Sequence, residues 1–245
     1  MRGRANAVML PVWIVLLAWT AAAHGTPLWQ QDLAKTATAS PGADSVRPEP
    51  DPGSVVVDAI AMRIEDDIIA ESQIEELAAF QKLGGGQPKN RDELIQELID
   101  QWIIQNDAQN SRYRLPSEEA VNQAYERFVQ NFPSPQAFRD KLAQVGLTAN
   151  AVRRFVADEL YLTSFIDFKF RPAAQVLPEQ VEKYYRDTLV LELKSKSQPI
   201  PALPEVDDQI RELLTQQAIE ARSDQWLKDT RSRLHIEMIS PEAAP

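Results

Sequence analysis

VVVDAIAMRIEDDIIAES, residues 55–72, decides the fold. Apolar residues alternate with polar ones on both sides of the acidic triplet Glu65-Asp66-Asp67, which reads as strand, turn, strand. A two-stranded hairpin alone is marginal in water, and the pattern of the remaining chain is almost entirely helical. The hairpin therefore needs a partner. LHIEMI, Leu234–Ile239, is the other good strand pattern, because its apolar residues alternate. The expected fold class is mainly α: a multi-helix bundle with a small antiparallel sheet, in which LHIEMI adds to the Val55–Ile69 hairpin as a third strand. The two ends of the folded chain then meet.

Helix signals fill the space between. Ser72-Gln73-Ile74-Glu75 has the form of a capping box, opening a short helix that Gly84-Gly85-Gly86 stop near Leu83. Asn90, with Glu93 in the capping position, opens a second helix to about Asn110. Its residues Leu94, Ile95, Leu98, Ile99, Trp102 and Ile103 cover a face wider than a surface helix needs, which places it at the centre. Ser117 caps a third helix with the stripe Val121, Ala124, Tyr125, Phe128, Phe132. Ser134 and Pro135 start a fourth, lined by Phe138, Leu142 and Val145 and ended by Gly146. Thr148 caps a fifth that runs to about Phe168.

A small helix is expected from Pro178 to Asp187. After it, LVLELKSKSQPIPALP (Leu189–Pro204) reads as a brief strand and a proline-marked linker. Pro204 then opens a last helix to about Leu234, roughly 45 Å long at 1.5 Å per residue. Its apolar stripe changes sides. Val206, Ile210, Leu213, Leu214, Ala218 and Ala221 share one face, and Ile219, Trp226, Leu227, Thr230 and Leu234 share nearly the opposite one. Such a helix meets different neighbours along its length, either by docking into the amino-terminal bundle or by exchange with a second chain to give a homodimer.

The amino terminus is of another kind. Arg2 and Arg4 precede an apolar run from Val8 to Trp19, and Ala21-Ala22-Ala23 follow it, the three-part pattern of a secretory signal cleaved after Ala23. An uncleaved anchor is the alternative, but the run is shorter than the roughly 20 residues that span a bilayer. Residues 24–54 carry Pro, Ala, Ser and charge with no apolar period and read as a disordered tether. The expected organisation is a signal peptide at 1–23, the tether at 24–54, a helical domain at 55–172, a short helix and linker at 173–203, and a long helix and strand at 204–240.

Composition narrows the function classes. The formal net charge of -10 becomes -12 when a signal carrying two arginines and no acid is removed. So acidic a chain is repelled by nucleic acid and by anionic lipid headgroups, and no stable membrane insertion is expected after cleavage. It contains no cysteine, which removes disulfides, thiolate metal sites and a Cys nucleophile, and suits a bacterial periplasm or cell exterior. No cofactor or metal is expected. Glu65-Asp66-Asp67 lacks the spaced oxygens and turn glycine of a calcium loop and fits a hairpin turn. The triple glycine lacks the Lys-Ser/Thr of a phosphate loop. Of the two histidines, His24 sits beside the cleavage point and His235 on an alternating strand, where a sheet-face role suits it better than catalysis.

The order of VVVDAIAMRIEDDIIAES, RDELIQELIDQWIIQNDAQ, the block from Leu115 to Pro172, LPEQVEKYY and the closing IRELLTQQAIEARSDQWLKDTRSRLHIEMI resembles the amino-terminal domain of the SurA-type periplasmic chaperones together with their carboxy-terminal helix. The resemblance covers most of Val55–Ile239. In that family the EKYY-like helix leads into one or two parvulin-type prolyl isomerase domains. Here Thr188–Leu203 provides 16 residues, where a domain needs well over about 40. The resemblance implies the chaperone body without the enzyme.

What it implies for function is a periplasmic, ATP-independent holdase for unfolded outer-membrane or secreted polypeptides. The residues that fit are surplus aromatics on the fifth helix. Val152, Phe155, Val156, Leu162 and Ile166 form one face, while Tyr161, Phe165 and Phe168 lie on the other. Both faces want burial, which suits the middle of a bundle. Alternatively, the second stripe, with Phe128, Phe132 and Phe138 nearby, lines a groove for clients. A non-catalytic scaffolding subunit of an envelope assembly is a second reading, and a prolyl isomerase a third.

Overall fold

The computed structural model describes residues 58–86 and 89–239. The expected signal, the tether and Val55–Val57 lie outside the described residues. Strand β1 (Ile60–Ile64) turns through Glu65 and Asp66 into β2 (Asp67–Ala70), and β3 (Ile236–Met238) pairs antiparallel along the other side of β1. The strand order is β2-β1-β3, with Met62 opposite Met238 and Ile64 opposite Ile236. The fold is mainly helical with one small antiparallel sheet, and the carboxy-terminal strand supplies what the hairpin lacked.

One irregularity shapes the sheet. Ile60 pairs with Ala70 and Met62 with Ile69, so Ala61 is an extra residue on β1, a bulge. The Ala61 carbonyl accepts the Ile239 N–H at 3.0 Å. The bulge breaks strict alternation and turns both Ala61 and Met62 into the core. At the hairpin tip Glu65 adopts left-handed backbone, φ 50. Its N–H donates to the His235 carbonyl at 3.0 Å, and its carboxylate accepts the His235 N–H at 2.8 Å. Asp67 accepts the Trp102 indole N–H at 2.8 Å. The acidic turn thus fastens β3 and the central helix to the hairpin.

Helices α1 (Glu71–Leu83), α2 (Arg91–Asn110), α3 (Glu118–Gln130), α4 (Pro135–Val145) and α5 (Ala149–Phe170) follow. The caps at Asn90, Ser117, Ser134 and Thr148 form as their chemistry requires, each side chain accepting a backbone N–H of the first turn. Gly146 ends α4 with φ 75, a conformation that costs a residue bearing Cβ. The expected cap at Ser72 is corrected. The cap lies two residues earlier, at Ala70, whose N–H donates to the Gln73 side chain at 2.8 Å. Ser72 is drawn away by Asp58, which accepts from both its hydroxyl and its N–H.

A second correction concerns Leu189–Pro204. Helix α6 (Pro178–Tyr184) runs through a wide π turn at Tyr185–Leu189 into α7 (Val190–Ser195), so no strand forms. Alternating Leu189, Leu191 and Leu193 imitate a strand, but extending a helix already nucleated at Pro178 costs less than starting a strand with no partner. The return segment is tied to this arm by the Tyr185 hydroxyl, which donates to the Pro201 carbonyl at 2.8 Å.

The long helix α8 (Leu203–Arg231) packs against α2, α5 and α6 of its own chain. Ile210 is buried on the α6 side, and Leu227 enters the main core. The change of stripe is satisfied within one chain, so exchange is not needed to bury it.

Two apolar cores result. The main one joins the sheet (Met62, Ile64, Ile69), α1, the buried face of α2, the Tyr161–Phe165 end of α5 and Leu227. The second gathers Leu83, Phe138, Leu142, Leu147, Val152 and Val156. The first α5 stripe serves both cores: Val152 and Val156 enter the second, while Phe155, Leu162 and Ile166 pack against the main core that also holds Tyr161 and Phe165 of the other stripe. Full burial of each such Leu, Ile or Phe contributes about 1.5–3 kcal/mol, so α5 is the element that couples the two cores.

Candidate functional site

The six aromatic residues proposed from the sequence fall into two groups. Tyr161 and Phe165 are buried in the main core, Phe165 at 2% exposure, whereas Phe168, one turn further, is 60% exposed. Phe138 is buried in the second core, with Phe128 and Phe132 half-buried at its edge. Phe132 meets Phe138 at 5.1 Å between ring centroids, and Phe128 stacks on Phe80 at 5.5 Å. The two groups belong to different cores and do not form one surface.

What gathers the first group is Tyr113, a residue that no periodicity marks. It sits in the link between α2 and α3, directly after Arg112, whose φ of 53 turns the chain. The Tyr113 N–H donates to the Ala108 carbonyl at 2.9 Å, which fixes the ring's origin. From there the ring lies 5.1 Å from Phe168, 5.4 Å from Phe165 and 5.8 Å from Tyr161. Such contacts add about 0.5–1.5 kcal/mol each beyond area burial. A gradient follows along α5: ring by ring, the aromatic packing passes from core to solvent.

At the exposed end lies an open depression of about 560 Å³, lined by Tyr113, Thr163, Ser164, Asp167, Phe168 and Gln216. Leu115, two residues beyond Tyr113, is 77% exposed. The polar wall is held by Arg171. Its Nε donates to both Asp167 carboxylate oxygens at 2.9 Å, and its terminal nitrogens donate to Glu212 at 3.0 and 2.9 Å. Gln216 also donates to Glu212, at 2.7 Å. These bonds hold the Glu212 carboxyl below its ordinary range and raise the Arg171 guanidinium further. The result is a fixed polar rim facing a projecting aromatic ring, a geometry suited to weak, non-directional contact with an apolar side chain.

Behind α5 a second, smaller opening of about 140 Å³ lies between Trp102, Trp226 and Leu234. Its neighbour Lys169 pairs with Asp107 at 2.7 Å and stands 5.0 Å above the Trp226 ring. Phe170 packs on Trp226 at 5.7 Å. This cluster pins the end of α5 to α2 and α8. Among the described residues, no group of three or more His, Asp and Glu is arranged to hold a metal, and no helix is long and apolar enough to cross a membrane.

No protein-family model matches the chain. It is similar to the Chaperone SurA of Escherichia coli O157:H7 and to the Chaperone SurA of Shigella flexneri, each 26% identical over 136 residues. The match takes in 52% of this chain and 32% of the relative, so the chain spans about a third of the length of those relatives. The similarity supports a distant relationship to a chaperone.

Proposed function

We propose that the chain is a non-enzymatic, ATP-independent chaperone that is exported to the periplasm and holds unfolded outer-membrane or secreted polypeptides. The observation that carries this reading is Phe168, a large ring displayed on the rim of an open depression and backed by the rigid aromatic packing of Tyr113, Phe165 and Tyr161. A rigid base with a projecting ring offers apolar area at little entropic cost, and the fixed polar rim keeps the surface soluble. Leu115 extends the apolar area along the link. The half-buried Phe128 and Phe132 are a separate, weaker contact area in this reading.

In this reading residues 55–172 and 204–240 form the chaperone body, and 173–203 stand where the family named above carries its isomerase domains. The α6–α7 arm is too small to build such a domain. A second reading, a scaffolding subunit that binds one folded partner, draws on the arm itself, where Leu191 and Ile200 are exposed.

Light scattering by an unfolded porin diluted from urea tests the first reading. Stoichiometric wild-type protein suppresses aggregation, and a Phe168→Ser, Leu115→Ser double variant does so several-fold less well. No suppression by wild-type protein counts against the proposal. A single folded partner recovered at fixed stoichiometry, with no affinity for the unfolded porin, favours the scaffold.

A further inference from the structure

We infer that the outer edge of β3 is a strand-addition site, where an extended segment of an unfolded outer-membrane polypeptide pairs as a fourth strand. The inference rests on the chaperone reading above and names how such a client is held. The Ile239 N–H donates to the Ala61 carbonyl and the Glu65 N–H to the His235 carbonyl, each at 3.0 Å, and Glu237 stands opposite Arg63. Odd-numbered residues of this segment thus face β1. By the alternation of an antiparallel ladder, Ile236 and Met238 turn their N–H and C=O groups the other way. Among the described residues β1 is the one strand paired with β3, and no helix makes an extensive contact with it. The opposite edge of the sheet is closed early, because the Ala70 N–H goes to the Gln73 side chain and the chain enters α1 at Glu71.

Side chains along the edge define what fits it. Met62 and Ile64 on β1 are fully buried, whereas of their β3 partners Ile236 is half-buried and Met238 is 50% exposed. The apolar side of the sheet therefore ends unfinished at β3. Leu234, two residues before the strand, lines the opening of about 140 Å³ with Trp102 and Trp226, so further apolar space adjoins that end. On the solvent side Glu237 is exposed, 4.0 Å from Arg63. A guest strand with apolar residues on the inner side and a polar or basic residue opposite Glu237 continues both surfaces. Strands of membrane barrels carry that alternation. A second copy of this chain fits less well. In the antiparallel register that uses Ile236 and Met238 of both copies, Glu237 meets Glu237, and each chain already has a net charge of -10. Like charges directly opposite destabilise a strand pair.

Hydrogen exchange of backbone amides tests this with a synthetic peptide of about ten residues, the length of a barrel strand, in which Val alternates with Thr or Lys. Saturating peptide is expected to slow exchange at Ile236 and Met238 several-fold relative to α3 and α4. Met238→Pro removes an outward N–H without touching the β1 ladder, and weakens peptide binding by about tenfold. Glu237→Lys leaves the backbone intact and reverses the preference between this peptide and its counterpart with Glu in place of Lys. Unchanged affinity in both variants, or no slowing at the two amides with peptide bound, overturns the inference. So does a dimer of the wild-type chain that Met238→Pro abolishes. Aggregation suppression that persists beside such a failure leaves the chaperone reading standing. Slowed amides on β3 in a protein that suppresses no aggregation keep the strand site and remove that reading.

Discussion

Arg231, the last residue of α8, donates a hydrogen bond to Asp100 in the middle of α2, 131 residues earlier in the chain. Asp100 is the most deeply buried partner among the ion pairs of the described residues, and the bond joins the end of the fold to its central helix. A charge in that position stabilises the fold only while its partner is present, because burial without compensation is costly.

Removing one partner is therefore expected to be far worse than removing both. Arg231→Ala leaves the Asp100 carboxylate uncompensated and costs about 3–5 kcal/mol. Arg231→Met combined with Asp100→Leu recovers most of that loss. Urea unfolding of the single and double variants at neutral pH checks both expectations, and equal losses in the two would refute them.

Stability should follow pH in two opposed phases. Glu159 has its carboxyl raised by burial and by Glu97, so its ionisation weakens the fold at neutral pH, and the penalty disappears as pH falls through its folded value toward the ordinary range. Glu212 is lowered by Arg171, so its contribution is present above the ordinary range and is lost as pH drops further, through its folded value. Glu159→Gln should thus raise the urea midpoint at about pH 7.5 and leave it unchanged at about pH 4.

Neighbouring rings on α5 should respond in opposite ways. Phe165→Ala opens a hole in the main core and costs about 3–5 kcal/mol, with client binding lost only as far as the fold is lost. Phe168→Ser leaves the unfolding midpoint nearly unchanged and weakens capture of an unfolded client. Circular dichroism melts beside the aggregation assay separate the two, and a Phe168→Ser protein of full activity removes that ring from the surface that matters.

Gly146→Ala isolates a backbone cost. The position has φ 75, and nothing lies within 4 Å of the place a Cβ would take, so no clash contributes. The expected loss is about 1 kcal/mol, read as a fall of a few degrees in melting temperature.

Local chemistry made much of this fold readable in advance. Asn90 with Glu93, Ser134 with Pro135, and Gly146 each act through neighbours a few residues away, and each sits where its pattern placed it. The pairing of LHIEMI was readable for a different reason, since an unpartnered hairpin leaves few options in a helical chain. Contacts made at a distance were hidden. Asp58 claims Ser72 and moves a helix start, Tyr113 reaches the α5 rings from an unpatterned link, and Arg231 finds Asp100 across the whole bundle. Ala61 shows a third limit. An alternating run gives no sign that a bulge will turn two consecutive residues inward.

The pairing of Ile64 with Ile236 also governs when the molecule can mature. Synthesis delivers the chain from its amino terminus, so the central strand β1 emerges early and stays open along one side until β3 has followed. Closure of the sheet thus waits for β3, and during that delay the nascent hairpin presents an unpaired edge.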